Sequence, residues 1–134
     1  MAEKILVVDD DQSTIKIVES ILTSQGYSIL VAGDGLDALV KIKKEQPVLV
    51  VLDVMMPEIN GYDVCYQLRF NKDFERIPIL LLTVRQQEID ESIAKRVNIE
   101  YLHKPVNAKK LLEKVEYLLN KGTPKEKDTA DDKH

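Results

Sequence analysis

Four apolar runs in this sequence each give way abruptly to polar side chains. "KILVV" at 4–8 is followed by Asp9, Asp10 and Asp11, and "VLVVL" at 48–52 by Asp53. "PILLL" at 78–82 is followed by Thr83, and "IEYL" at 99–102 by His103, Lys104 and Pro105. Carboxylates gathered at one place could hold a divalent cation, which often shares its sphere with a phosphate, provided folding brings them together. Each residue taken singly has an ordinary explanation. Asp11 is well placed to cap a helix starting near Gln12, and an Asp, Thr or Lys at a strand end is commonly turn chemistry.

The elements that must position these residues are legible from periodicity. The runs above, with "SILVA" at 28–32, have strand length, and "KILVV", "VLVVL" and "PILLL" lack polar alternation, as parallel strands covered on both faces do. Amphipathic stretches separate them. Ile15, Val18, Ile21 and Leu22 share a helical face that ends at Gly26, and Leu36, Leu39 and Val40 share another that ends before Pro47. Val64, Cys65 and Leu68 form a third face, and Ile89, Ile93 and Val97 a weaker one. Leu111, Leu112, Val115, Leu118 and Leu119 form the last, closed by Gly122 and Pro124. Strand and helix alternate five times. This pattern predicts a doubly wound parallel α/β sheet of five strands with five helices, in three layers, because right-handed crossovers carry each helix over the sheet. Pro78 stands at a strand start, where a missing N–H is tolerated.

In such sheets ligands bind beyond the carboxyl ends of the strands. Asp9, Asp10, Asp53, Thr83 and Lys104 would all arrive at that one edge. Two carboxylates held about 5 Å apart repel by roughly 3 kcal/mol at an effective dielectric near 20. A bound divalent cation reverses that cost. Oxygen-only ligands with open positions suit Mg²⁺, for which Mn²⁺ can substitute.

Composition narrows the classes of function. A chain of 134 residues, 44% hydrophobic and 31% charged, suits one folded domain. A net charge of −4 offers no basic footprint for direct nucleic-acid binding. No apolar run approaches the roughly 18 residues that span a bilayer. A single cysteine, Cys65, rules out an intramolecular disulfide and suits a reducing, cytoplasmic compartment. Residues 121–134, "KGTPKEKDTADDKH", carry no large apolar side chain, and their four basic and four acidic residues cancel. The expectation is a folded domain over 1–121 and a disordered charged tail over 122–134.

"LVVDDD" at 6–11, "LDVMMPEINGYD" at 52–63, "PILLLT" at 78–83 and "YLHKP" at 101–105 occur in order on the predicted strands. Together they resemble the receiver domain of bacterial two-component response regulators, over about residues 3–120. The resemblance implies the flavodoxin-like strand order 2-1-3-4-5, for which this family serves as the general example. It also implies that Asp53 is the phosphoacceptor and Asp10 a direct Mg²⁺ ligand, with Asp9 the second acid, often acting through water. The backbone carbonyl of Met55 would be a third protein ligand. Lys104 would neutralise phosphoryl oxygens, and Thr83 would donate its hydroxyl to one of them and act with Tyr101 as the switch pair. Pro105 matches a position commonly cis in the family, which would aim Lys104 inward. Two departures stand out. Val84 follows Thr83 where a small residue is usual, a bulk expected to restrict access to the phosphoryl group. "AKRVNIEYL" lacks the usual Gly-Ala, and the spacing from Thr83 to Lys104 is about one residue short.

The implied function is that of a signalling module and not an enzyme in the ordinary sense. Its partners would be a histidine kinase or phosphotransfer protein and a downstream protein target, with no nucleic acid and no membrane insertion. It would act as a monomer or a phosphorylation-dependent dimer. One alternative is a receiver cut from a larger regulator. A haloacid-dehalogenase-type phosphatase also uses an aspartyl phosphate and Mg²⁺, but needs an acid two residues after the nucleophile, where Met55 stands. Flavin binding would need a phosphate-cradling loop after the first strand, and "DDDQS" there is acidic.

Overall fold

In the computed structural model, residues 3–56, 60–83 and 98–121 are described. The elements are β1 (Lys4–Val8), α1 (Gln12–Thr23), β2 (Ser28–Ala32), α2 (Gly35–Glu45), β3 (Leu49–Asp53), α3 (Gly61–Arg69), β4 (Ile79–Thr83), β5 (Ile99–His103) and α4 (Ala108–Lys121). All five strands are parallel, in the order β2-β1-β3-β4-β5. The doubly wound α/β sheet is thus as expected. Four of the five expected helices are present among the described residues; the one assigned to Ile89, Ile93 and Val97, along with Val84, lies outside them.

Strand alternation divides the core in two. Leu6, Val8, Val50, Leu52, Ile79 and Leu81 face one way and meet Ala38 and Ile42 of α2 and Val64, Cys65 and Leu68 of α3. Ile5, Val7, Leu49, Val51, Leu80 and Leu82 face the other, against Ile15, Val18 and Leu22 of α1 and Leu111, Val115 and Leu118 of α4. β3 and β4 are buried throughout, and β1 after Lys4, whereas the edge strands β2 and β5 are only partly covered. That is why the three central strands read as unbroken apolar runs.

One helical face is turned differently from its periodicity. Leu36 and Val40 point outward, with 56% and 63% of their surface exposed, and Leu39 is half-buried. Gly35, Ala38 and Ile42 are the residues that α2 buries. Small side chains at 35 and 38 let the helix lie close to the sheet, and Ile42 supplies the apolar bulk. β3 and β4 also begin one residue later than their apolar runs, so Asp53 and Thr83 are the last strand residues.

The helices enter through side-chain caps that satisfy backbone N–H groups left without a partner at a helix start. Asp11 caps α1, accepting from the Ser13 N–H at 3.1 Å and from the Thr14 hydroxyl at 2.9 Å. Asp34 caps α2. Asn60 and Asp63 form a reciprocal capping box at the start of α3.

Candidate functional site

β1 and β3 are neighbours paired from Ile5↔Leu49 to Val8↔Leu52, so the chain leaving β1 and the last residue of β3 emerge side by side. Asp9 and Asp53 therefore meet. Asp9 has no exposed surface, and its Oδ1 accepts the Asp11 N–H at 2.9 Å. Asp53 is 4% exposed and also accepts the Met55 N–H. Asp10, next along the chain, faces solvent. One carboxylate oxygen from each of Asp9, Asp10 and Asp53 lies within 4.8 Å of the others. Asp11, the fourth acid of the neighbourhood, is committed to its cap.

Lys104 reaches this cluster from the far edge strand. Its backbone N–H donates to the Thr83 carbonyl at 2.8 Å, which extends the β4–β5 pairing by one residue. Its Nζ then lies 3.0 Å from Asp9 Oδ2 and 3.3 Å from Asp53 Oδ1. The Lys104–Pro105 peptide is cis. Thr83, buried, ends β4 one residue further out than the partner of Asp53 in the pairing Asp53↔Leu82. Tyr101 pairs with Leu81. Because side chains alternate, Tyr101 shares a sheet face with Leu81 and Thr83, and its ring packs on the core beneath α2 and α3. The Met55 side chain is exposed beside the cluster.

The electrostatics follow from this crowding. Burial, and then the charge of Asp9, push the Asp53 carboxyl up to about 6, against the opposing pull of Lys104. Burial works to lower the Lys104 ammonium, but the contacts with Asp9 and Asp53 outweigh it and the net shift is upward. Two buried acids and one cation leave a negative pocket. Its donors are all hard oxygens, the set that suits a small divalent ion, so the triad is able to hold a metal.

One residue of the site had no role in the sequence reading. Gly61, at the start of α3, lies against the backbone that carries Asp53. A Cβ added there would strike the Asp53 carbonyl oxygen and lie 2.9 Å from Val54 Cα. The Gly61 N–H donates to the Val54 carbonyl at 3.0 Å. The available signal was a glycine directly after the capping Asn60, where any good helix former would otherwise serve.

Comparison with known proteins places this geometry in a class. The response regulator receiver domain matches residues 5–116, and the chain belongs to that family. Receiver domains are phosphoacceptor signalling domains of two-component systems and not enzymes of the classical kind. Similar relatives include the alkaline phosphatase synthesis transcriptional regulatory protein PhoP of Bacillus subtilis, 38% identical over 91% of this chain and 50% of its own length. The response regulator MprA of Mycolicibacterium vanbaalenii is 41% identical over 92% of this chain and 53% of its own. Among solved structures, the chemotaxis protein CheY4 of Vibrio cholerae superposes with a TM-score of 0.79 at 31% identity, over 89% of this chain and 100% of that one. The chain spans about half the length of the curated relatives it matches.

Proposed function

We propose that this chain accepts a phosphoryl group on Asp53 from a phosphohistidine of a partner kinase or phosphotransfer protein. The observation that carries the reading is a buried strand-end carboxylate, Asp53, with an ammonium 3.3 Å away and two further acids beside it. An Asp53 oxygen attacks phosphorus, the bond from phosphorus to the donor histidine nitrogen breaks, and an acyl phosphate results. Lys104 neutralises charge on the transferred oxygens, and the Thr83 hydroxyl donates to one of them. Mg²⁺ or Mn²⁺ would be held by Asp9, Asp10, Asp53 and the carbonyl of Met55. When bound, it supplies the positive charge that lets an anion approach three carboxylates.

Residues 1–121 form the receiver in this reading, with 122–134 a charged tail. The phosphorylated form docks to a separate downstream protein in the cytoplasm, as a monomer or as a phosphorylation-dependent dimer. In support, no helix among the described residues is long and apolar enough to cross a membrane. A second reading, a receiver forming one half of a longer regulator, is favoured by the half-length match to PhoP and MprA. The sequence downstream of residue 134 in the gene distinguishes the two.

The test is intact mass after incubation with acetyl phosphate and Mg²⁺. Wild type should gain one phosphoryl group, removable by hydroxylamine, and Asp53→Asn should gain none. Equal labelling of both proteins would move the acceptor elsewhere.

A further inference from the structure

β2 is an edge strand, paired only with β1. Its Ser28 N–H donates to the Glu3 carbonyl, and its Ala32 carbonyl accepts the Asp9 N–H, so these residues are turned toward β1. Backbone groups alternate along a strand. Ile29 and Val31 therefore turn their N–H and C=O groups to the open side, where an edge of this kind invites a further strand. The Val31 carbonyl is already taken. It accepts from the Lys41 ammonium of α2. Asp37, one helical turn before Lys41, holds the same ammonium at 3.2 Å. The two side chains remain 38% and 41% exposed, so the carbonyl and the carboxylate, and not burial, draw the lysine over the edge.

From this geometry we infer that the open edge of β2 is a strand-pairing surface for a second copy of this chain, and that Lys41 keeps it closed. The occupant follows from the symmetry of the edge itself. Two β2 edges laid antiparallel about a two-fold axis at Leu30 set Ile29 of each copy opposite Val31 of the other. Residues opposed in this way exchange both of their N–H···O=C bonds, and the contact closes on itself. Ile29, Leu30 and Val31 are each half-buried, Leu30 on one sheet face and the other two on the opposite face. A paired strand would cover what they leave open. Lys41 occupies one of the two outward carbonyls of each copy, and with it the seat of the Ile29 N–H from the other. Removing the ammonium frees the edge. β2 lies at the opposite end of the strand order from β5, and the inference does not rest on phosphoryl transfer.

The experiment combines sedimentation equilibrium with amide hydrogen exchange on the full chain, with no phosphoryl donor and no divalent cation present. Lys41→Ala should form a dimer at least about tenfold more tightly than wild type. The Ile29 and Val31 amides should exchange slowly in that dimer and rapidly in wild type. Lys41→Arg keeps a cationic donor and should behave as wild type does. Adding Val31→Pro to Lys41→Ala removes an outward N–H without touching a bond to β1, and the dimer should be lost. If Lys41→Ala does not fold, Lys41→Gln carries the same comparison. A monomeric Lys41→Ala overturns the inference, as does slow exchange of both amides in wild type. A dimer that survives Val31→Pro uses another face and overturns it too. Equal association in Lys41→Ala and Lys41→Arg does the same.

Discussion

Asp53 is asked to be both buried and ionised, and the two demands conflict. Burial and the neighbouring Asp9 hold its carboxyl at about 6, above the ordinary value of 3.8. In metal-free protein between those two values the folded state keeps a proton that the unfolded state has lost. Stability is then fully present below about pH 4 and is lost as pH rises through 6, by at most about 3 kcal/mol. Chemical denaturation of metal-free protein at pH 4.5 and pH 7, values chosen by roughly bracketing that window, should show this fall in wild type. Asp53→Asn should remove most of it, and a parallel fall in the variant would place the titration on another group. Asp10 bears on the same balance from the solvent side. Asp10→Asn relieves repulsion among the acids, so its metal-free melting temperature should exceed that of wild type while added Mg²⁺ no longer raises it. A melting temperature unchanged by the variant and by Mg²⁺ would remove the metal from this account.

The elements hold the acids in place as much as they supply them. α3 begins directly against the Asp53 backbone, and Asn60 and Gly61 make that start possible. Asn60→Ala loses the cap and should cost about 1 kcal/mol by urea denaturation. Gly61→Ala improves helix propensity yet must push the helix off the β3 end, and should cost about 1–3 kcal/mol. The informative comparison is between the two: a Gly61→Ala protein as stable as wild type would mean the contact yields without cost. Partial burial likewise explains why the edge strand β5 can carry Glu100 and His103 among its apolar residues. Glu100 of β5 is partnered by Lys114 of α4 at 3.2 Å, so even the polar residue on this edge strand ties a helix to the sheet.

At the scale of the molecule, a charge placed at Asp53 has to be sensed at a surface. Thr83 and Tyr101 share a sheet face on adjacent strands, the threonine at the pocket edge and the tyrosine one diagonal step toward the core. If Asp53 is phosphorylated as proposed, the phosphoryl group would draw the Thr83 hydroxyl inward, and the ring of Tyr101 would follow into the vacated space. The change would be a shift of population between two side-chain arrangements on an unaltered sheet. Amide NMR with beryllofluoride, which mimics the phosphoryl group, should move the signals around Tyr101 in wild type. Thr83→Ala should keep phosphorylation of Asp53 while losing those shifts. Identical shifts in the variant would break the link between the two residues.

The alternation of strands and helices, and the edge at which the chemistry collects, are already written in the order of residues. A parallel strand covered on both faces must be apolar along its length, so Asp53 and Thr83 mark where β3 and β4 leave the core. The same logic located Asp9, Asp10 and Lys104 beyond their strands. How these residues differ emerges only when the chain is folded. Asp9 and Asp10 are identical neighbours in the chain, and local sequence gives no reason for one to be sealed and the other exposed. The sealed one is met by Lys104, delivered by a strand two places away in the sheet from β3. The inner face of α2 and the pressure of Gly61 on Asp53 were hidden for a related reason. Periodicity counts apolar side chains, whereas close packing at these points relies on small ones, whose worth appears only when another backbone is set against them.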